Sequence, residues 1–277
     1  MTVGEREYVL GTGDAEIERL RLQHAVWRAD ATAAWRRAGF MPGQTILDVG
    51  CGPGFAALDL AEVVGAHGRV LAVDQSTRFL EYLASQCEAR GVTNVSGIQR
   101  DLATATFDEA IADGAWLRWI LTFIPDPRCA LSSVAAALRP GGAIAIHEYF
   151  AYETWKLVPR DADFEAFVAA VMASWRARGG EPNVGLEVPR WLESIGLEVE
   201  STRTVTDIVT RDSHRWHWPV AFALSGLERL VELGDVTPRD AERMRARIHA
   251  LRTGDAWMVT PAVVEVIGRK PLKGYSR

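Results

Sequence analysis

The apolar positions change period along the chain. Between residues 45 and 148, short continuous apolar runs alternate with stretches whose apolar residues recur at helical spacing. The runs 45–49, 69–73, 95–99, 112–116 and 143–148 read as strands. Segments 55–64, 76–90 and 127–138 read as helices between them, and 103–111 as a short connection. Strands that are apolar throughout, each feeding a helix, predict a parallel sheet covered on both faces. Right-handed crossovers then make the sheet doubly wound.

The flanks follow other patterns. Residues 1–13 look irregular, and Asp14 is a plausible helix cap. Ile17, Leu20, His24, Trp27 and Ala31 then fall on one helical face. A second helical piece runs to Arg37, and Gly39 with Pro42-Gly43 ends it. Beyond residue 150, Phe164, Phe167, Val168, Val171, Met172 and Trp175 share a helix that stops near Gly179-Gly180. A short helix over 187–194 precedes a strand over 197–209 that extends the same sheet. Two helices follow, over 213–233 and 238–252. The second opens with Thr237 as cap and Pro238 in its first turn. A last strand covers 257–268, with Pro261 suited to an edge or bulge.

Three glycines change the picture from fold to chemistry. Asp48 stands near the end of the first apolar run, and Gly50, Cys51, Gly52 and Gly54 lead into the next helix. A strand that enters a helix through a glycine-rich turn lets the backbone approach a ligand closely. The second strand ends in Asp74, 20 residues after Gly54, where a carboxylate can accept a ribose diol. Arg100-Asp101-Leu102 follows the third strand. Leu138-Arg139-Pro140-Gly141-Gly142 turns a helix into a further strand.

Together these residues resemble the class I methyltransferases that use S-adenosylmethionine (SAM), of the small-molecule type. The resemblance spans 45 to about 149, and the remainder follows the family only loosely. It implies a mainly parallel, seven-stranded, Rossmann-like sheet with N-terminal helices, an antiparallel last strand and a helical lid before that strand. The whole chain then reads as one domain. Residues 1–37 form a helical cover, 38–150 the SAM half and 151–277 the acceptor side. SAM is the implied cofactor. Gly50, Cys51, Gly52 and Gly54 would hold its carboxypropyl end and Asp74 its ribose. Asp101 and Leu102 would hold the adenine, with Gln75 and Ser76 along the route between. Arg118 and Trp119, at the end of the fourth strand, would touch the amino-acid end of SAM or the acceptor. Tyr8, Gln23 and Trp27 would close over the cofactor.

A hydroxyl acceptor gains from a base, because proton removal strengthens the nucleophile. His147 and Tyr149 end the fifth strand on one face, with Glu148 on the other. His147 is the candidate base and Glu148 or Tyr149 the candidate orienting group, with His214 and His217 as rivals in the lid. Trp27, Trp119, Trp216 and His217 are candidate acceptor contacts, and Trp218 and Phe222 extend that aromatic surface. Six of the ten tryptophans lie on the acceptor side, 151–277, which favours a small aromatic or apolar acceptor.

Composition narrows the alternatives. The 277 residues are 48% apolar and 24% charged, with a net charge of −5, which suits a globular protein and speaks against a broad nucleic-acid footprint. The three cysteines show no C-x-x-C spacing, no metal motif is present, and no apolar run is long enough to span a bilayer. The expectation is a cytoplasmic monomer or homodimer acting on a small molecule. A non-catalytic SAM-binding sensor or assembly protein stays open at this level, as does a methyltransferase directed at macromolecules.

Overall fold

A computed structural model describes residues 11–272. Tyr8 lies outside the described residues. Helix α1 (Asp14–Ala38) is one continuous element instead of two pieces. The chain between Trp27 and Ala38 holds no Gly or Pro, so nothing breaks the helix before Gly39, which adopts a left-handed φ of 79°. Gly13 stands at the cap position, and Asp14 sits in the first turn.

Strand β1 (Thr45–Val49) leads to α2 (Phe55–Val64), and β2 (Arg69–Asp74) to α3 (Thr77–Arg90). Ser76 caps α3 by accepting from the Phe79 N–H. Strands β3 (Val95–Gln99) and β4 (Ala112–Arg118) follow, then α4 (Pro127–Ala137), capped by Asp126. Strand β5 (Leu138–Ala151) is far longer than its apolar run. It pairs with β4 at Leu138 and again from Ala143 onward, and Pro140-Gly141-Gly142 lies in the register shift between them. Next come β6 (Lys156–Val158), α5 (Ala162–Ala177), α6 (Val188–Ser194), β7 (Glu198–Val205) and β8 (Ile208–Val209). The chain ends with α7 (His217–Glu232), α8 (Pro238–Ala250), β9 (Trp257–Val259) and β10 (Ala262–Arg269).

Seven strands form one sheet in the order β3-β2-β1-β4-β5-β10-β7. All neighbours are parallel except β10, which is antiparallel to both β5 and β7. The fold is Rossmann-like and doubly wound, as the alternating pattern predicts. Two long apolar runs divide where the sequence read one strand each. The 197–209 run splits into β7 and β8, and the 257–268 run splits at Pro261 into β9 and β10. β6, β9 and β8 build a separate three-stranded antiparallel sheet. Pro261 therefore marks the step from one sheet to the other, where its missing N–H leaves no ladder bond unmade.

Helices α1, α2 and α3 bury Trp35, Leu60 and Leu83 against one face of the large sheet. Helices α4 and α6 bury Leu131, Val134 and Leu192 against the other. A third core is rich in aromatic residues. It joins Trp27, Trp119, Tyr149, Tyr152 and Trp155 to α5, α7 and α8. That helical layer holds the large side chains the loosely matching half supplies. Among the described residues, no helix is long and apolar enough to cross a membrane.

Candidate active site

A cleft of about 1300 Å³, open mouth included, runs along the carboxyl ends of β1, β2 and β4 and on toward α5 and α7. One part is lined by the β1–α2 turn. Gly50, Gly52 and Gly54 all have left-handed φ angles, of 71°, 54° and 82°. A Cβ on Gly50 would lie 2.6 Å from Ile120, and one on Gly54 would lie 2.3 Å from Leu83. At Gly52 only Leu20 comes within 4.0 Å, so the space over the turn stays open for a ligand. Gly50, Cys51 and Gly52 line the cleft, whereas Gly54 lies beneath it as the cap of α2. Burial pushes the Cys51 thiol well above its usual range, which leaves it a neutral wall.

Asp74 is fixed from two sides. It accepts the Gly52 N–H at 2.8 Å and the Ser76 N–H at 2.9 Å, one on each carboxylate oxygen. Burial raises its pKa against those donors, and each oxygen keeps a lone pair for a ligand hydroxyl. Gln75, Asp101 and Leu102 line the same part. Asp101 also accepts the Ala103 N–H at 2.9 Å, which holds the turn.

Where the cleft crosses β1 and β4, two buried polar atoms have no partner: Asp48 Oδ2 and Arg118 Nη1. Both residues line the cleft. Burial pushes Asp48 up to about 7 against the pull of the Arg118 guanidinium. Burial also lowers Arg118 to about 10, so it stays charged at neutral pH. Arg118 Nη2 donates to His24 Nδ1 at 3.0 Å, and His24 Nε2 meets Asp59 at 3.0 Å. Because Arg118 can only donate, His24 must accept at Nδ1 and carry its proton on Nε2. Arg28 closes the far end with two bonds to Asp59. An unpaired acceptor beside an unpaired donor matches the zwitterion of an α-amino acid, such as the methionyl end of SAM.

The other part of the cleft is aromatic. Trp119, Phe123, Tyr149, Trp175 and Phe222 line it, with Arg19 and Gln23. Trp119 follows β4 at a φ of 52°, and its N–H bonds the His147 carbonyl at 3.0 Å. The ring of Trp119 lies nearly parallel to Tyr149 and Trp218, each 5.5 Å away. Behind β4, buried Glu148 accepts from the Leu121 N–H and from Thr122 Oγ1, and so anchors the segment that carries Phe123. Burial raises Glu148 to about 7.

Several candidates fall elsewhere. His147 is wholly buried and does not line the cleft. Its Nε2 lies 3.0 Å from Glu265 on the adjoining strand, and its ring is wedged between Trp27 and Trp116. Burial lowers its pKa despite Glu265, so the imidazole is a neutral strut and the expectation of a base at this position is withdrawn. Trp27 packs edge-on behind Trp119 and Trp218, with the Arg215 guanidinium 4.4 Å from its ring. Trp216 is buried away from the cleft, while His217 and His214 are exposed and face each other at 6.3 Å. None of these four lines the cleft. Trp119, Tyr149, Arg118 and Gln23 do. Sequence reasoning missed Arg19, Phe123 and the relay through His24. Trp175 and Phe222 fell only on general apolar faces. Among the described residues, no cluster of three or more His, Cys, Asp or Glu is arranged to hold a metal ion.

Comparison with known proteins agrees with this geometry. The sequence model of a family described as "Methyltransferase domain" matches residues 46–142. The demethylmenaquinone methyltransferase of Lactococcus lactis is 30% identical over 46% of this chain and 49% of its own length. The aklanonic acid methyltransferase of Streptomyces sp. strain C5 is 33% identical over 37% of this chain and 47% of its own. The chain thus spans about half the length of these relatives. The crystal structure of coclaurine N-methyltransferase, with N-methylheliamine and SAH bound, superposes with a TM-score of 0.57 at 19% identity. That match covers 87% of this chain and 70% of that one, and at such identity it speaks for the fold.

Proposed function

The chain belongs to the class I SAM-dependent methyltransferases, and from that premise we propose that it methylates an oxygen, nitrogen or carbon nucleophile of a small aromatic metabolite. Bound SAM supplies an electrophilic methyl on a sulfonium, a group that needs alignment and dryness more than acid–base help. The chain's residues divide the remaining work. Asp74 accepts the ribose hydroxyls, and the backbone of Gly50 to Gly52 and the start of α2 receive the carboxypropyl end. Arg118 Nη1 takes the carboxylate, and Asp48 Oδ2 takes the ammonium. Asp101 and Leu102 border the adenine. Trp119, Tyr149, Trp175 and Phe222 orient a flat acceptor and exclude water.

The observation that carries this reading is the unpaired Asp48 and Arg118 pair at the foot of the glycine turn. Two orphaned buried groups of opposite kind are costly unless a ligand completes them. The acceptor class is supported by the aromatic lining and by relatives named for demethylmenaquinone and aklanonic acid. With His147 withdrawn, proximity and desolvation replace a dedicated base.

The test uses SAM labelled in its methyl group, incubated with the protein and with separate pools of metabolites, total protein and total RNA. Label in the metabolite pool is expected. Label confined to protein or RNA overturns the acceptor class. No label anywhere, with SAM binding confirmed by calorimetry, replaces the enzyme with a SAM sensor.

A further inference from the structure

The aromatic end of the cleft suits two ligand chemistries at first sight. Stacked rings accept a flat neutral molecule, and they also attract an ammonium. The charges around them separate the two. The acids that line the cleft are Asp48, Asp74 and Asp101, and all belong to the β1–β3 part. Glu148 beside Tyr149 is buried, held by the Leu121 N–H and Thr122 Oγ1, and does not line the cleft. The other acid on this side is Glu16. It is tied to Arg19 by two bonds of 2.7 Å and does not line the cleft.

Two of the rings an ammonium would use already carry a cation. The Arg19 guanidinium lies 5.6 Å from the Phe222 ring, and the Arg118 guanidinium 5.3 Å from the Trp119 ring. An ammonium there meets two guanidiniums and no free carboxylate.

Two polar side chains at this end, Gln23 and Trp119, offer hydrogens. Gln23 Oε1 already accepts from Arg19 at 2.9 Å and from Trp218 Nε1 at 3.2 Å, so its amide N–H groups are what it can present to a ligand. Trp119 is 7% exposed, and its indole Nε1–H is buried with no partner in a residue that lines the cleft. An unsatisfied buried donor in native protein calls for a specific reason. Its ring is held in parallel stacks by Tyr149 and Trp218, and its backbone by the His147 carbonyl, so the N–H has a fixed direction.

We infer that this end of the cleft binds a flat aryl carbonyl compound whose oxygen accepts the Trp119 indole N–H, and that it discriminates against amines. The inference rests on the methyltransferase reading and narrows its acceptor to oxygen-bearing aromatics. Trp119 is then a specificity-determining contact, positioned by strain at a left-handed backbone angle that a bulky residue rarely adopts.

Three naphthalenes of similar size separate the possibilities: 1-acetylnaphthalene, 1-ethylnaphthalene and 1-(aminomethyl)naphthalene. Each is titrated by calorimetry into the full chain saturated with SAH, after SAH binding has itself been measured. The ketone is expected to bind about tenfold tighter than the hydrocarbon, the usual worth of one buried hydrogen bond. The ammonium should bind weakest. In Trp119→Phe, which keeps a ring and removes the N–H, the ketone's advantage over the hydrocarbon should vanish. Tightest binding by the amine, an undiminished ketone preference in Trp119→Phe, or no binding of any of the three overturns the inference. The wild-type ranking tests it even if Trp119→Phe does not fold. Failure of SAH to bind would instead overturn the methyltransferase reading, so the two are distinguished.

Discussion

The relay from α1 to the cleft makes a prediction that splits at a single imidazole. His24 accepts from Arg118 at Nδ1 and donates to Asp59 at Nε2. Asn at this position places its carbonyl oxygen near Nδ1 and preserves the Arg118 contact. Gln places its amide nitrogen near Nε2 and preserves only the Asp59 contact. A hydrogen bond to a charged group is worth about 1.5–3 kcal/mol, or about 10- to 150-fold in affinity. Arg118 keeps its contacts with the Trp116 and Trp119 rings, at 5.9 and 5.3 Å, so the lower figure is expected. His24→Gln should therefore weaken SAH binding about tenfold, while His24→Asn stays near wild type. Acidification should imitate the Gln variant, because an imidazolium donates at both nitrogens and places a cation against Arg118. Burial lowers the His24 pKa, with Asp59 pulling it up and Arg118 and Arg28 pushing it down. The unfolded chain then binds the proton more readily than the folded one. Stability and SAH affinity should be full above the ordinary value of 6.5 and fall as pH drops through the depressed folded value. Calorimetry at stepped pH, with circular dichroism as a control on folding, reads both effects. Equal SAH affinity in the two variants, or weaker binding in Asn than in Gln, refutes the relay.

Other outcomes follow from the same structure. Asp74→Ala removes the acceptor of the Gly52 and Ser76 N–H groups. SAM affinity should fall by more than about tenfold, or about 1.4 kcal/mol, in a titration; an unchanged constant rejects the ribose assignment. Gly54→Ala forces a Cβ to 2.3 Å from Leu83 at a φ of 82°. Backbone strain and overpacking together should cost about 2–5 kcal/mol in urea unfolding. For Glu265, burial favours the neutral acid, but His147 and Arg37 hold the carboxyl at about 2 instead of 4.5. Its anion therefore stabilises the fold at neutral pH. That contribution is present above 4.5 and lost as pH falls through about 2. The stability gap between wild type and Glu265→Gln should shrink on acidification; a gap that ignores pH contradicts the clasp.

What the sequence determined by itself was local. The apolar runs, the glycine turn and the acid after β2 each follow from a few neighbouring residues, through backbone sterics and side-chain period. They were enough to single out Gly50, Gly52 and Asp74, which the fold brings together along one part of the cleft. The tertiary structure decided whatever depends on partners distant in the chain. His147 reads as a base until β10 brings Glu265 alongside it across 118 residues. Trp27 and Trp216 read as acceptor contacts until α7 packs against α1 and buries them. The 257–268 run reads as one strand until Pro261 divides it between two sheets. His24 carried no sequence signal, because its meaning lies in Asp59 on one side and Arg118 on the other. Aromatic and titratable side chains take their roles from which neighbour arrives to cover them. Only the closed packing of α1, β5, β10 and α7 fixes that.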